Sequence, residues 1–211
     1  MSASPSRTLR VVVVNGSPNA RSKTMGLSDL VTSTLAEMID IDIDRVDVYR
    51  LGPGFAGTIN REQAPADVED QIRKVETADL LVAAVPVYRA SYPGMFKHLF
   101  DLVDQYALAN KPVLLLATGG SERHALVIEH ALRPLFAFFQ ALTVPVAFYA
   151  SSGDFDGTTV LNPEVYSRVE IGLGDVIGLL RDRTQNPAST DGLSLAAPPA
   201  PAGLTDTNGT P

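Results

Sequence analysis

The sequence contains no cysteine and no tryptophan, and only three histidines are scattered through its 211 residues. The absence of cysteine excludes disulfide scaffolds, thiolate zinc sites, iron–sulfur clusters and thiol nucleophiles. Three separated histidines leave few ligands for any other metal centre. We therefore expect a protein with no metal site.

Basic residues are also scarce, since 17 lysines and arginines stand against 24 aspartates and glutamates, a formal net charge of −7. No basic run offers a patch for nucleic acid. Apolar runs of about 20 residues, the length of a membrane span, are missing, and residues 1–10 lack the apolar segment of a secretory signal. These absences predict a cytoplasmic protein that binds neither nucleic acid nor membranes.

Four continuous apolar runs, and one stretch of alternating apolar and polar residues at positions 41–49, are separated by helical patterns along the chain. Such continuous runs are typical of strands buried on both faces of a parallel sheet. The strands are expected at residues 9–14, 41–49, 79–87, 112–117 and 144–150. The helices are expected at residues 25–39, 66–77, 93–105, 122–142 and 163–181. Five such units joined by right-handed crossovers predict an α/β, doubly wound parallel sheet with the flavodoxin-like strand order 2-1-3-4-5.

The composition divides the chain into one domain and two flanking segments. Residues 1–8 are expected to be a flexible N-terminus, and residues 9–183 the folded domain. Beyond them, residues 184–211 are rich in proline, alanine and glycine and nearly free of large apolar side chains. We expect this tail to be disordered, because it has little apolar surface to bury.

Unusual loops follow three of the expected strands. After the first comes Gly-Ser-Pro-Asn-Ala-Arg-Ser-Lys-Thr, residues 16–24, whose small and hydroxyl residues precede a helix start. Such a loop suits a phosphate, with Arg21 and Lys23 neutralising part of its charge, although an ordinary polar loop with a helix cap fits these residues as well. It matches neither the Walker A pattern nor the three-glycine dinucleotide pattern.

The loops after the third and fourth strands face the same crevice in a doubly wound sheet. Residues 86–94 read Pro-Val-Tyr-Arg-Ala-Ser-Tyr-Pro-Gly and offer a rigid proline, two tyrosines and a cation to a flat heteroaromatic ring. Residues 117–121, Ala-Thr-Gly-Gly-Ser, permit close backbone approach to a ligand edge. Together the three loops predict a site for a phosphorylated, planar ligand.

In this order, the three loops resemble those of the NAD(P)H-dependent FMN reductase family, and most of all the flavin reductases that serve two-component alkanesulfonate-type monooxygenases. The resemblance spans about residues 9–181. It implies FMN with NADPH or NADH as co-substrate, transfer of a hydride without a catalytic side chain, and delivery of reduced FMN to a monooxygenase. The implied flavin-binding residues are Ser17, Ser22, Lys23, Thr24, Pro86, Val87, Tyr88, Arg89, Thr118, Gly119, Gly120 and Ser121. The charge of the first loop adds Arg21 as a thirteenth candidate for the same site.

Two other functions remain open from the sequence. A quinone or azo-dye reductase would retain its FMN, and a flavodoxin-like electron carrier would hold FMN without a nicotinamide site. The choice between NADH and NADPH also stays open, because an arginine pairs equally with a 2′-phosphate or with the flavin phosphate.

The segment 122–142 is expected to be a helix whose apolar side chains cover more than one face. A single core cannot bury them all, so we expect a homodimer or homotetramer, with Phe138 and Phe139 as candidate interface residues. Pro134 removes the N–H that would bond the carbonyl of His130, which predicts a kink or a one-turn π-bulge. Relatives carry tyrosine where this chain has His130, so the role of this histidine stays open.

Overall fold

The computed structural model describes residues 7–19 and 21–185. Its centre is a parallel sheet with helices on both faces. The strands of the sheet are β1 (Leu9–Asn15), β2 (Ile41–Asp47), β3 (Leu80–Pro86), β4 (Pro112–Gly119), β5 (Leu142–Thr143) and β6 (Phe148–Ser151). Nearly all of the expected tail lies outside the described residues, as do residues 1–6.

Among the described residues, six α-helices pack around the sheet, and a small antiparallel hairpin lies beside it. The helices are α1 (Lys23–Met38), α2 (Gly52–Gly57), α3 (Ala66–Thr77), α4 (Gly94–Leu102), α5 (Arg133–Phe138) and α6 (Pro163–Gln185). The hairpin consists of β7 (Phe155–Asp156) and β8 (Thr159–Val160). Within residues 7–19 and 21–185, no helix combines the length and the apolar character needed to cross a bilayer.

The strand order is β2-β1-β3-β4, with β5 and β6 both paired in parallel with β4. The predicted order 2-1-3-4-5 is therefore confirmed, with the fifth position occupied by two short strands. The prediction of one continuous strand over residues 144–150 was wrong. Pro145 interrupts that run, because a proline has no N–H to donate to the ladder.

Apolar side chains fill both faces of the sheet, in alternation along each strand. Val12 and Val14 pack on the face covered by α3, α4 and α5, while Val11 and Val13 pack on the face covered by α1 and α6. All four valines are fully buried. Burial on two faces explains why the strands read as continuous apolar runs.

The prediction of one helix over residues 122–142 was wrong, because the segment divides into three pieces. A 3₁₀ turn at Glu122–His124 is followed by a π-helical turn at Ile128–Leu132 and then by α5. The irregular turn ends just before Pro134, where the sequence predicts it. The missing N–H of Pro134 leaves the preceding turn free to widen.

The two aromatic candidates in this segment have different environments. Phe139 is buried, and its ring centroid lies 6.1 Å from that of Phe100 in the core. The expectation that it faces another subunit was therefore wrong. Phe138 is 65% exposed and remains a candidate for such a contact.

Gly26 allows the β7–β8 hairpin to lie directly on α1. A Cβ at this position would stand 1.8 Å from the carbonyl oxygen of Thr158, so no other residue fits without displacing the hairpin. The hairpin is thus held beside the first turn of α1, next to the carboxyl ends of the strands.

Candidate functional site

A cleft of about 340 Å³ lies at the carboxyl edge of the sheet, where β1, β3 and β4 end. Ten of the thirteen candidate flavin-binding residues line it, and they come from three separate loops. These ten are Ser17, Ser22, Lys23, Thr24, Pro86, Val87, Tyr88, Thr118, Gly119 and Gly120. The fold therefore brings the three loops together as the topology predicts.

One end of the cleft is formed by the start of α1. Ser22 caps this helix, since its hydroxyl oxygen accepts a hydrogen bond of 3.2 Å from the backbone N–H of Met25. The backbone N–H groups of Lys23 and Thr24 make no hydrogen bond within the described ranges. Free N–H groups at the positive end of a 16-residue helix favour an anion such as a phosphate.

Two serine hydroxyls add donors at the same end. The hydroxyl of Ser17 accepts a bond from the backbone N–H of Asn19, and that of Ser22 accepts the capping bond. Neither hydroxyl proton has an acceptor among the residues described. Ser17 is held in place by Asn15, whose side-chain oxygen accepts its backbone N–H at 3.0 Å. Asn15 in turn donates to Asp47 on β2 at 2.7 Å.

A buried pair of hydroxyls joins the first loop to the fourth strand. Thr24 and Thr118 lie 2.7 Å apart through their Oγ1 atoms, and each residue is at most 5% exposed. One hydroxyl donates and the other accepts, so the accepting hydroxyl keeps its own proton for another partner. This bond fixes the distance between the two loops.

Lys23 lies across the cleft toward the segment that follows β6. Its Nζ donates a hydrogen bond of 3.2 Å to the carbonyl oxygen of Ser152 and stands 5.7 Å from the centre of the Phe155 ring. The ammonium group therefore sits at the rim, where it adds positive charge beside the helix start.

The loop after β3 contains a tight turn from Tyr88 to Ser91. These two residues exchange backbone hydrogen bonds of 2.8 and 3.0 Å. Between them, Arg89 and Ala90 have φ values of 48° and 68°, a left-handed conformation that costs a residue with a Cβ roughly 1–2 kcal/mol. Their backbone N–H groups have no partner in the described part of the chain. Strain of this kind is often found at binding sites.

Tyr149 on β6 supports the loop after β4. Its buried hydroxyl donates a hydrogen bond of 2.5 Å to the carbonyl oxygen of Ser121. Burial raises the pKa of Tyr149, and the nearby charges of Glu122 and Asp154 raise it further. The phenol therefore stays protonated as a donor at neutral pH.

The glycines of this loop have different reasons to be small. A Cβ on Gly119 would lie 2.3 Å from the Tyr149 hydroxyl, so protein packing requires glycine there. A Cβ on Gly120 would meet no protein atom within 4 Å. Packing leaves this face of the loop open, as a site for a flat ligand requires.

Three predicted residues do not line the cleft. Arg21 lies in a neighbouring groove along α1, while Arg89 and Ser121 belong to the adjoining loops but do not contribute to the lining. Three further residues do contribute, namely Asn19, Ser152 and Thr158. Ser152 follows the fifth strand position, so the rule that places ligands at carboxyl ends of strands predicts its place. Thr158 belongs to the hairpin and carries no such signal.

The family model described as NADPH-dependent FMN reductase matches residues 9–156. The chain belongs to this family. It is 50% identical over 163 residues to the NADH-dependent FMN reductase SfnF of Pseudomonas putida, covering 77% of this chain and 88% of that protein. It is 44% identical over 162 residues to the FMN reductase (NADPH) of Pseudomonas aeruginosa, covering 77% and 87%. The family predicted from the three loops is confirmed.

Solved structures agree with this assignment. The apo form of the NADH:FMN oxidoreductase EMOB superposes with a TM-score of 0.70 and 28% identity, covering 82% of this chain and 89% of that one. An oxidoreductase from Corynebacterium diphtheriae superposes equally well, with 28% identity and coverage of 83% and 99%. The flavodoxin-like fold class is therefore confirmed along with the family.

Proposed function

We propose that this FMN reductase family member oxidises NAD(P)H and reduces FMN bound in the cleft at the carboxyl edge of the sheet. The observation that carries the proposal is the convergence of ten residues from three separate loops on one cleft beside the start of α1. Membership of the NADPH-dependent FMN reductase family is the reason for naming FMN and a reduced nicotinamide as the two ligands.

The residues present fit FMN in two parts. Ser17, Ser22 and the free N–H groups at the start of α1 offer hydrogen-bond donors to the 5′-phosphate. Pro86, Val87 and Tyr88 offer apolar and aromatic surface to the isoalloxazine ring. Gly120 leaves room for that ring, because no protein atom occupies the position of its absent Cβ.

FMN bound in the cleft would supply the hydride acceptor, so the protein itself would need to provide neither an acid nor a base. The chain must hold the two rings together and exclude water. The N–H groups of Arg89 and Ala90, which have no partner in the described part of the chain, would be suited to donate to an edge of the isoalloxazine ring. The strained turn keeps these donors in a fixed orientation before the flavin arrives.

In this proposal, reduced FMN leaves the protein and is passed to a monooxygenase. The cleft is open, with Tyr88 44% exposed and Gly120 exposed, which suits a flavin that enters and leaves. We further propose that it forms a homodimer or homotetramer, supported by exposed apolar side chains such as Leu126 and Phe138. Its proposed location is the cytoplasm. The three candidates that do not line the cleft, Arg21, Arg89 and Ser121, stay proposals.

The test compares turnover of FMN and riboflavin by a variant that lacks one hydrogen-bond donor to the 5′-phosphate. Glycine replaces a serine helix cap at a cost of only a few tenths of a kcal/mol, so Ser22→Gly removes the hydroxyl and largely spares the fold. One lost hydrogen bond to a charged phosphate is worth about 1.5–3 kcal/mol, or roughly a 10- to 150-fold rise in KM for FMN. Riboflavin has no phosphate, so its kcat/KM should stay the same.

Ser167→Ala, a hydroxyl deletion on the exposed surface of α6, serves as the control and should change neither flavin. Equal losses for FMN and riboflavin in Ser22→Gly would make the loop structural and remove the phosphate assignment. Failure of the unaltered protein to turn over free FMN with NADH or NADPH would refute the reductase. A protein purified with tightly held FMN would instead favour a retained-flavin enzyme or a carrier.

A further inference from the structure

A second and larger groove of about 680 Å³ adjoins the flavin cleft. It runs along the outer face of α1, between that helix and the segment formed by β8 and the first turns of α6. Ser22 and Thr158 line both the cleft and the groove, so the groove begins at the proposed phosphate position. Its volume is within the range of small-molecule sites.

Charge is distributed unevenly along this groove. Arg21 lies at the end next to the phosphate loop, and it has no hydrogen bond or ion pair among the residues described. Farther along α1 the groove is lined by Asp29 and Glu37, and by Glu170 from α6. Arg45 pairs with Asp29 at 2.6 Å, which leaves the other two carboxylates without a salt bridge in the described residues. An anionic group therefore fits only at the loop end.

The walls between these ends are apolar and aromatic. Met25, Leu30 and Val160 contribute apolar surface, and Met25 and Val160 are buried. The ring of Tyr166 is 39% exposed, and its hydroxyl donates to the carbonyl oxygen of Val160 at 2.9 Å, which fixes its position. A flat ring is matched by such walls, and hydroxyl or amino donors on that ring and its sugar are matched by the carboxylates.

We propose that the groove binds an adenosine phosphate group, with the phosphate beside Arg21 and the adenosine along α1. The proposal rests on the proposed function, because it takes the loop end of the groove to be the position of the flavin phosphate. The adenylate half of FAD is the favoured source, since its pyrophosphate places an adenosine directly beyond that phosphate. NAD(P)H contains the same adenosine phosphate group, and the experiment below distinguishes binding of FAD from binding of NAD(P)H.

The experiment obstructs the groove and leaves the cleft intact. Asp29 is exposed in the middle of the groove, so Asp29→Trp fills it at a position that a surface helix tolerates. Ala36→Trp places the same side chain on an exposed position of α1 that does not line the groove, and it is the matched control. Dissociation constants for FMN and FAD are measured by quenching of flavin fluorescence, and KM for NADPH and NADH is measured with FMN as acceptor.

We expect the unaltered protein to bind FAD. Asp29→Trp should raise the dissociation constant for FAD about tenfold or more, while the dissociation constant for FMN stays within about twofold of the original value. AMP should compete with FAD in the unaltered protein. If the nicotinamide is the source, Asp29→Trp instead raises KM for NADPH or NADH, AMP competes with that substrate, and FAD binding is unchanged. The Ala36→Trp variant should behave like the unaltered protein in every assay.

Two results would overturn the proposal while leaving the reductase assignment intact. The first is an Asp29→Trp protein that binds FAD and uses both nicotinamides as the unaltered protein does. The second is equal weakening by Asp29→Trp and Ala36→Trp, which would report a general effect on α1. Absence of FMN reduction by the unaltered protein would refute the proposed function itself. Failure of the groove proposal and failure of the proposed function therefore give different results.

Discussion

The buried hydroxyl pair of Thr24 and Thr118 gives a quantitative test of how the loops of the cleft are joined. Replacing either threonine by valine keeps the shape and removes one hydroxyl, which leaves the other buried without its partner. Such an unsatisfied group costs about 1–3 kcal/mol of unfolding free energy. In a domain of this size each kcal/mol lowers the Tm by about 2–4 °C.

The double variant Thr24→Val with Thr118→Val removes both hydroxyls, so no buried group is left unsatisfied. Its loss of stability should be smaller than the sum of the two single losses, by a coupling of about 0.5–3 kcal/mol. Denaturant unfolding of the four proteins measures this coupling directly. The matched control pairs Thr118→Val with Thr32→Val, a buried threonine two turns farther along α1 whose hydroxyl bonds the carbonyl of Ser28 at 2.9 Å.

The control pair should be additive, because Thr32 and Thr118 share no hydrogen bond. Additive losses for Thr24 and Thr118 as well would show that their hydroxyls are not bonded in solution, and the proposed link between the two loops would be refuted. If the stability losses of Thr24→Val and Thr118→Val are coupled and riboflavin turnover is unchanged in both variants, the hydroxyl pair acts at the phosphate end of the cleft.

Three further predictions concern the surrounding fold. Hydrogen bonds from Arg61, and to a smaller extent from Arg73, lower the pKa of Glu69 from 4.5 to about 2. The ionised carboxylate therefore stabilises the fold above pH 4.5, and this contribution is lost as the pH falls toward 2. Arg61→Met should flatten this part of a curve of unfolding free energy against pH, and an unchanged curve would contradict the pairing. Ala90→Gly should raise the unfolding free energy by up to about 1 kcal/mol, because glycine adopts positive φ without strain, and a loss in denaturant unfolding would refute this. Phe138→Ser should change stability by less than about 0.5 kcal/mol and give a smaller species in light scattering, while a retained oligomer would place the contact elsewhere.

The sheet and its order were predictable because burial on both faces leaves a strong trace in the chain. Runs such as Val11 to Val14 alternate between two cores, so every position is apolar. The fifth strand and the helix after β4 were predicted less well, since Pro145 and Pro134 break backbone patterns whose apolar content continues past them. Whether a chain bends, splits or changes helix type at a proline is decided by packing on both sides.

The cleft was predictable for a related reason: loops that follow neighbouring parallel strands must meet at one edge. That rule places Ser17, Tyr88 and Thr118 together without any knowledge of side-chain contacts. It does not reveal Thr158, which reaches the cleft through a hairpin of two-residue strands. It also does not show that Arg21 lies in the groove along α1, because the direction of an exposed arginine leaves no pattern in a sequence.

The absence of a side chain at position 26 has a consequence for how this scaffold varies. The hairpin that rests on Gly26 contributes Thr158 to both the cleft and the groove, so a shift of the hairpin would change both spaces. A protein of this architecture with any larger residue there must carry its hairpin farther from the helix and open both spaces at once. Gly26→Ala is the smallest substitution that tests this link between the two spaces.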